Sequence, residues 1–350
     1  MISPDAPSRS AINTHNGAQP RRHGLKWLQQ GRFWVHAGAN RVDYTHVDPA
    51  AGVPINELLG PDDLVRDLGR LPSSPAVLPQ LMALLNESST SLHEVVDLIL
   101  LDAGIAARVL QVANSAYYGR GLRCEAVDEA VYRIGFLKTY EMVSFAVASR
   151  LLIRPLVTYG ISAEDLWRRS VVGAIAAEII ALRCDLNPNL AYTSGLFHGV
   201  GLVAIDTWAR NRESAPRIYS SGYPAETTSC EISTFGFTNA SVAASLLRSW
   251  KFTDALVEPI RWQFKPADAS ARHQPLSCVL SVAKWLRDAV VSAPGSALPR
   301  TPDARAMQLL GQSPGEVESL IDETRQAFDR AIFTLGDMTL GGNGAYLRTA

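Results

Sequence analysis

One histidine, His198, stands in the apolar stretch "GLFHGVGLVAID" (Gly195 to Asp206), with Gly199 directly after it. An imidazole there can ligate a metal or move a proton. Hydrolysis at a metal needs about three protein ligands and an open position for water, so His198 needs companions. The stretch reads as one buried helix. Gly199 then brings no side chain, and its carbonyl is committed to the backbone ladder. Asp206 lies eight residues beyond His198, which on a continuous helix is ~12 Å along the axis. Cys124, Cys184, Cys230 and Cys278 have no metal-ligand spacing. The plainer role for His198 is a core histidine satisfied by one good hydrogen bond. A phosphate loop of Walker type, a GxGxxG after a strand and a GxSxG elbow are all absent.

The elements that must hold such residues read as helices from about Pro61 onward. Ser91 with Glu94 forms a capping box ahead of Leu92, Val95, Val96 and Ile99, which share one face. Ile105, Val109, Val112 and Ala116 continue a helical stripe, and Asn114-Ser115 and Gly119 end it. Ser162 and Asp165 open a helix running to about Cys184, and Ser313-Pro314-Gly315-Glu316 opens another. Strand alternation is not visible beyond residue 60, so the expected fold is all-α, a bundle of many helices. Residues 1–24 read as a mobile tail. Residues 32–47 read either as a small hairpin around Gly38-Ala39-Asn40 or as an irregular segment docked through Trp27, Phe33 and Trp34. "SAPGSALPRTP" (residues 292–302) reads as a linker.

Composition narrows the classes. The chain has 350 residues, 47% hydrophobic and 19% charged, enough apolar content for a sizeable core. A net charge of -1 argues against sequence-independent nucleic-acid binding, and "RRHGLK" (Arg21 to Lys26) is a short solvated run. "VVGAIAAEIIAL" (Val171 to Leu182) is broken by a charge short of the ~20 residues of a membrane span, and no secretory signal is visible. Four scattered cysteines suit thiols in a reducing cytoplasm.

Six segments in order resemble the HDOD family of bacterial domains related to HD phosphohydrolases. They are "LPSSPAVLPQLMALLNE", "LILLDAGIAARVLQVANSAYYG", "VDEAVYRIGFLKTYEMV", "LWRRSVVGAIAAEII", "AYTSGLFHGVGLVAI" and "FGFTNASVAASLLRSWKF". The resemblance is firm over residues 64–265 and looser over 275–335. It implies an HD-like helical bundle with the domain at 61–270, an N-terminal extension at 1–60 that is partly disordered, and C-terminal helices at 271–350 that pack on or extend the domain.

The resemblance also implies where metal ligands belong. Arg169 stands in place of a His in "LWRHS", and Gly199 in place of the Asp after His198. Asn239 replaces a His in "FGxxHA", and Gln263 with Phe264 replaces a His pair. A permanent guanidinium at Arg169 repels a divalent cation. No metal and no cofactor are therefore expected. If the fold is kept, Arg169, His198, Asn239 and Gln263 converge, and an arginine beside amides suits a phosphorylated small ligand. The plainer alternative has Arg169 in solvent or paired with Glu178 or Asp165. Asn114, Tyr117 and Tyr118 form a candidate partner surface, unless Asn114 shapes the helix exit and the tyrosines pack inward.

The expectation is a non-catalytic, cytoplasmic regulatory module that contacts other signalling proteins. One rival is a phosphohydrolase with relocated ligands, His198 joined by Asp185, Asp206 or another His. A second rival is a nucleic-acid-associated regulator. Oligomeric state is not encoded in these patterns.

Overall fold

Three serines show how the sequence sets helix starts. Ser91 accepts from the Glu94 amide at 3.4 Å while its own amide donates to Glu94 Oε2 at 2.7 Å. Ser162 accepts from the Asp165 amide at 3.0 Å, and Ser313 and Glu316 repeat the reciprocal pair at 3.3 and 2.7 Å. Each side chain satisfies an amide that the first helical turn leaves unpaired.

The structure, a computed structural model, describes residues 27–30, 33–36, 60–68, 77–85, 90–115, 117–119, 123–210, 218, 225–292 and 301–339. The chain divides into two compact units, Met1–Pro54 and Ile55–Ala350.

In the first unit, β1 (Trp27–Gln30) and β2 (Phe33–His36) pair antiparallel, with Trp27 opposite His36 and Gln30 opposite Phe33. The two strands form a hairpin, and the turn expected at Gly38-Ala39-Asn40 lies outside the described residues. The aromatic run Phe33–His36 is the second strand of this pair. Residues 1–26 and 37–59 lie outside the described residues.

The second unit is helical. In chain order its helices are α1 (Pro61–Asp67), α2 (Val77–Leu85), α3 (Leu92–Leu100), α4 (Ala103–Ala113), α5 (Val127–Ile134), α6 (Phe136–Leu152), α7 (Ala163–Arg183), α8 (Pro188–Phe197), α9 (Val200–Arg210), α10 (Ala225–Phe235), α11 (Asn239–Ser249), α12 (Asp254–Arg261), α13 (Gln274–Val291), α14 (Ala304–Leu309) and α15 (Pro314–Thr339). Among the described residues of this unit the one extended pairing is the isolated bridge Leu156–Ile161.

α7 is the central element. It is apolar on nearly every side and packs against α6, α8, α13 and α15. Its approach to α8 is close because a Cβ at Gly195 would lie 2.6 Å from the Gly173 carbonyl oxygen and 2.8 Å from the Ala174 Cα. α13 is buried along most of its length and lies against α7, α8 and α12. The C-terminal helices are therefore part of the same packed body as the central ones. Most of the linker read at 292–302 lies outside the described residues.

Candidate functional site

The stretch read as one helix is two. α8 ends at Phe197, His198 and Gly199 turn, and α9 begins at Val200. The His198 carbonyl accepts from Gln263 Nε2 at 3.0 Å, drawing that oxygen out of the helical ladder. The Gly199 carbonyl accepts from the Leu202 amide at 3.0 Å, so it is committed even though the helix is broken.

Three elements bring polar groups to this break. α7 supplies Arg169, the turn after α12 supplies Gln263, and α13 supplies Lys284, Arg287 and Asp288. The last three recur at spacings of three and four, which places them on one helix face. That face turns inward: Arg287 is 1% exposed and Lys284 8%.

The His198 ring is fixed on both edges. Nδ1 lies 2.5 Å from the Gly195 carbonyl oxygen, and Nε2 lies 2.6 Å from Arg287 Nη1. A carbonyl only accepts and a guanidinium only donates. Nδ1 therefore carries the proton, and Nε2 offers its lone pair to Arg287. Burial, and then the Arg287 charge, hold the His198 pKa well below the usual imidazole value.

Arg287 continues outward. Its Nε donates to Asp288 Oδ1 at 2.9 Å and its Nη2 to Asp288 Oδ2 at 3.0 Å. Arg169 Nη1 donates to the same Oδ1 at 2.8 Å. One carboxylate thus joins two guanidinium groups, and Arg169, the side chain expected to receive a phosphate, donates to Asp288. Arg169 pairs with an acid, as the plainer alternative has it, though the acid is neither Glu178 nor Asp165. Below, Lys284 Nζ donates to the Gln263 carbonyl at 2.9 Å and sits 3.4 Å from the centre of the Phe264 ring. Burial, and then the Arg287 charge, lower its pKa well below the usual lysine value, against the opposing pull of Asp288 and Asp303.

Asn239 does not join this cluster through any of these bonds. Its backbone amide donates to Glu231 Oε2 at 2.7 Å, and its Nδ2 donates to Glu231 Oε1 and Oε2 at 3.1 and 2.9 Å. Tyr159 donates its hydroxyl to Glu231 Oε1 at 2.8 Å. Burial pushes the Glu231 carboxyl up to about 7, against the pull of those donors. Asp206 is elsewhere as well, fully buried and accepting from the Thr158 amide at 2.8 Å.

Asn114 closes α4. Its Nδ2 donates to the Leu110 and Cys124 carbonyls at 2.9 and 2.8 Å, and its Oδ1 accepts from the Cys124 amide at 2.7 Å. The side chain shapes the helix exit. Tyr118 is half-buried against the core, and Tyr117, 74% exposed, meets it edge-on.

The residues present do not fit a hydrolytic metal ion. The one lone pair on His198 is taken, two guanidinium groups and a lysine surround it, and among the described residues no three His, Cys, Asp or Glu side chains gather to hold a metal. Arg287, Asp288 and Lys284 did not emerge from the sequence reading. The available signal was the pattern Lys-x-x-Arg-Asp inside an otherwise apolar helix, since charges on a buried face require partners.

The HDOD domain profile matches residues 71–266. The chain belongs to the HDOD domain family. An HDOD domain protein with unknown function from Geobacter sulfurreducens superposes with a TM-score of 0.55 at 21% identity, covering 77% of this chain and 97% of that one. A Shewanella amazonensis SB2B protein named as a candidate phosphohydrolase gives 0.54 at 22% identity over 78% and 97%. A Marinobacter aquaeolei VT8 protein named as a candidate signal transduction protein gives 0.55 at 21% identity over 81% and 68%. At these identities the likeness is one of fold. An uncharacterized protein of Treponema pallidum (strain Nichols) is 23% identical over 225 residues, 63% of this chain, and the chain spans 42% of that relative's length. Among the described residues of this HDOD protein no helix is long and apolar enough to cross a membrane.

Proposed function

We propose that this HDOD protein is a non-catalytic regulatory module of bacterial signalling that works through contacts with other proteins. The observation that carries the reading is the 2.6 Å hydrogen bond from Arg287 to His198 Nε2. A permanent cation on the lone-pair nitrogen of His198 opposes a hydrolytic centre there. Tyr117 is an exposed aromatic beside a rigid helix exit, the type of anchor that interfaces favour. A cytoplasmic setting belongs to the same reading and is supported by four cysteines that are all free thiols. An anionic small ligand would have to displace Asp288 from two guanidinium groups, so ligand gating is the part of the expectation that the geometry supports least.

The test is a phosphodiester hydrolysis assay of the wild type and His198→Ala with added manganese, iron or zinc. The expected result is no metal-dependent turnover in either protein. Turnover that needs metal and is abolished by His198→Ala overturns the proposal.

A further inference from the structure

α4 and α6 leave an open apolar groove between them. α4 brings Ile105 and Val109 to its floor, and α6 brings Met142, Phe145 and Ala146. The two helices run antiparallel. At one end Asp102, the cap of α4, pairs at 2.7 Å with Arg150 in the last turn of α6. At the other end the Lys138 and Glu141 charges near the start of α6 act on the Tyr118 hydroxyl just beyond α4, whose pKa is raised first by burial. Each end also carries an exposed apolar side chain, Leu101 at one and Tyr117 at the other, both 74% exposed. The 11 residues of α4 give the groove a length of about 16 Å, room for three turns of a helix laid along it.

Charge defines the groove further. The ion pairs at its two ends are each neutral, Asp102 with Arg150 and Glu141 with Lys138. Arg108 stands on its wall between them, half-buried, and donates to the neutral Gln111 amide oxygen at 3.3 Å. Among the described residues Arg108 forms no ion pair. A guanidinium held over apolar surface without a carboxylate attracts one, and the two-pronged pairing of the two groups adds orientation to the attraction. We infer that the α4–α6 groove seats an amphipathic helix of a partner protein, with apolar side chains three to four residues apart on the floor and a Glu or Asp carboxylate on Arg108. The inference rests on the reading of this protein as a contact module and deepens it by naming the surface and the chemistry of the partner. Tyr117 and Leu101 are then the two ends of one seat.

The probes are two pools of labelled synthetic helical peptides that share a fixed leucine stripe, one pool with glutamate beside the stripe and the other with lysine. Fluorescence anisotropy reads their binding to the full chain as wild type, Arg108→Glu and Ser149→Trp. The expected result is that the wild type binds the glutamate pool at least about tenfold more tightly than the lysine pool, and that Arg108→Glu reverses the order. Ser149→Trp fills the groove and should bind neither pool, with the melting curve of the wild type. Should Ser149→Trp fail to fold, the charge reversal at Arg108 decides. Equal binding of the two pools, an order unmoved by Arg108→Glu, or no binding at all overturns this inference and leaves the non-catalytic reading intact. Self-association of the free chain that Ser149→Trp abolishes also overturns it, because the groove then belongs to a second copy. Metal-dependent turnover alongside the expected peptide binding overturns the non-catalytic reading alone.

Discussion

Arg287 donates to His198 Nε2 at 2.6 Å, and the same guanidinium grips Asp288 with its remaining nitrogens. The two contacts depend on each other. His198 can accept because its proton is held on Nδ1 by the Gly195 carbonyl, and Arg287 can be buried because Asp288 balances its charge. Removing any one partner leaves a buried polar group unmatched.

Asp288→Asn should therefore be the most damaging single change in the cluster. It takes the shared negative charge from Arg169 and Arg287 and is expected to cost about 3–5 kcal/mol in urea unfolding. Arg169→Ala should cost less, about 1 kcal/mol, because that side chain is 25% exposed and water replaces part of its role. Equal losses for the two variants would contradict the proposed hierarchy.

His198→Ala should lower stability by about 1–3 kcal/mol through an unpaired guanidinium N–H and the lost ring volume. A chelator such as EDTA should leave the melting curves of both wild type and variant unchanged. A chelator-dependent shift in the wild type would mean that the imidazole binds an ion.

Glu178 sets a pH dependence. Burial, and then the neighbouring Glu141 charge, push its carboxyl from 4.5 up to about 7, against the opposing pull of Lys138. The folded chain thus binds this proton more tightly than the unfolded chain. Its stabilising effect is complete below about 4.5 and is lost as pH rises through about 7. Glu178→Gln should flatten the stability difference between pH 5 and pH 8 by roughly 2–3 kcal/mol. Denaturant titrations at the two pH values measure it, and an unchanged difference counts against the assignment.

The α9–α11 contact tolerates no side chain at Gly201, where an added Cβ would collide with the Asn239 carbonyl oxygen. Backbone cannot give way as a flexible side chain does. Gly201→Ala should therefore destabilise by about 3 kcal/mol or more, above the usual range for a single methyl. Differential scanning calorimetry reads this as a large fall in melting temperature.

Asn114 and Tyr117 separate structure from recognition at the α4 exit. Asn114→Ala removes three hydrogen bonds and should cost about 1–3 kcal/mol. Tyr117→Ala, at an exposed position, should change stability by no more than about 0.5 kcal/mol. If this turn is a partner surface, the second variant should lose partner binding while its melting curve stays that of the wild type.

Local chemistry by itself determined where the long helices begin and end, because capping and apolar spacing act over a few neighbouring residues. Ser91, Ser162 and Ser313 head helices as their side chains require, and Asn114 closes α4 with its own amide. The glycine at position 199, where the family resemblance implies an acid, is legible in the sequence as well. Tertiary structure alone decided the break at His198, since the Gln263 amide that draws its carbonyl away stands 65 residues later in the chain. It also decided that Asn239 serves Glu231, and that Arg169 meets an aspartate 119 residues distant. The physical reason is one of range. A helix cap is satisfied within one turn, whereas a buried charge must be matched by whichever group the packing of α7 on α13 brings within hydrogen-bond reach, and no local pattern names that group.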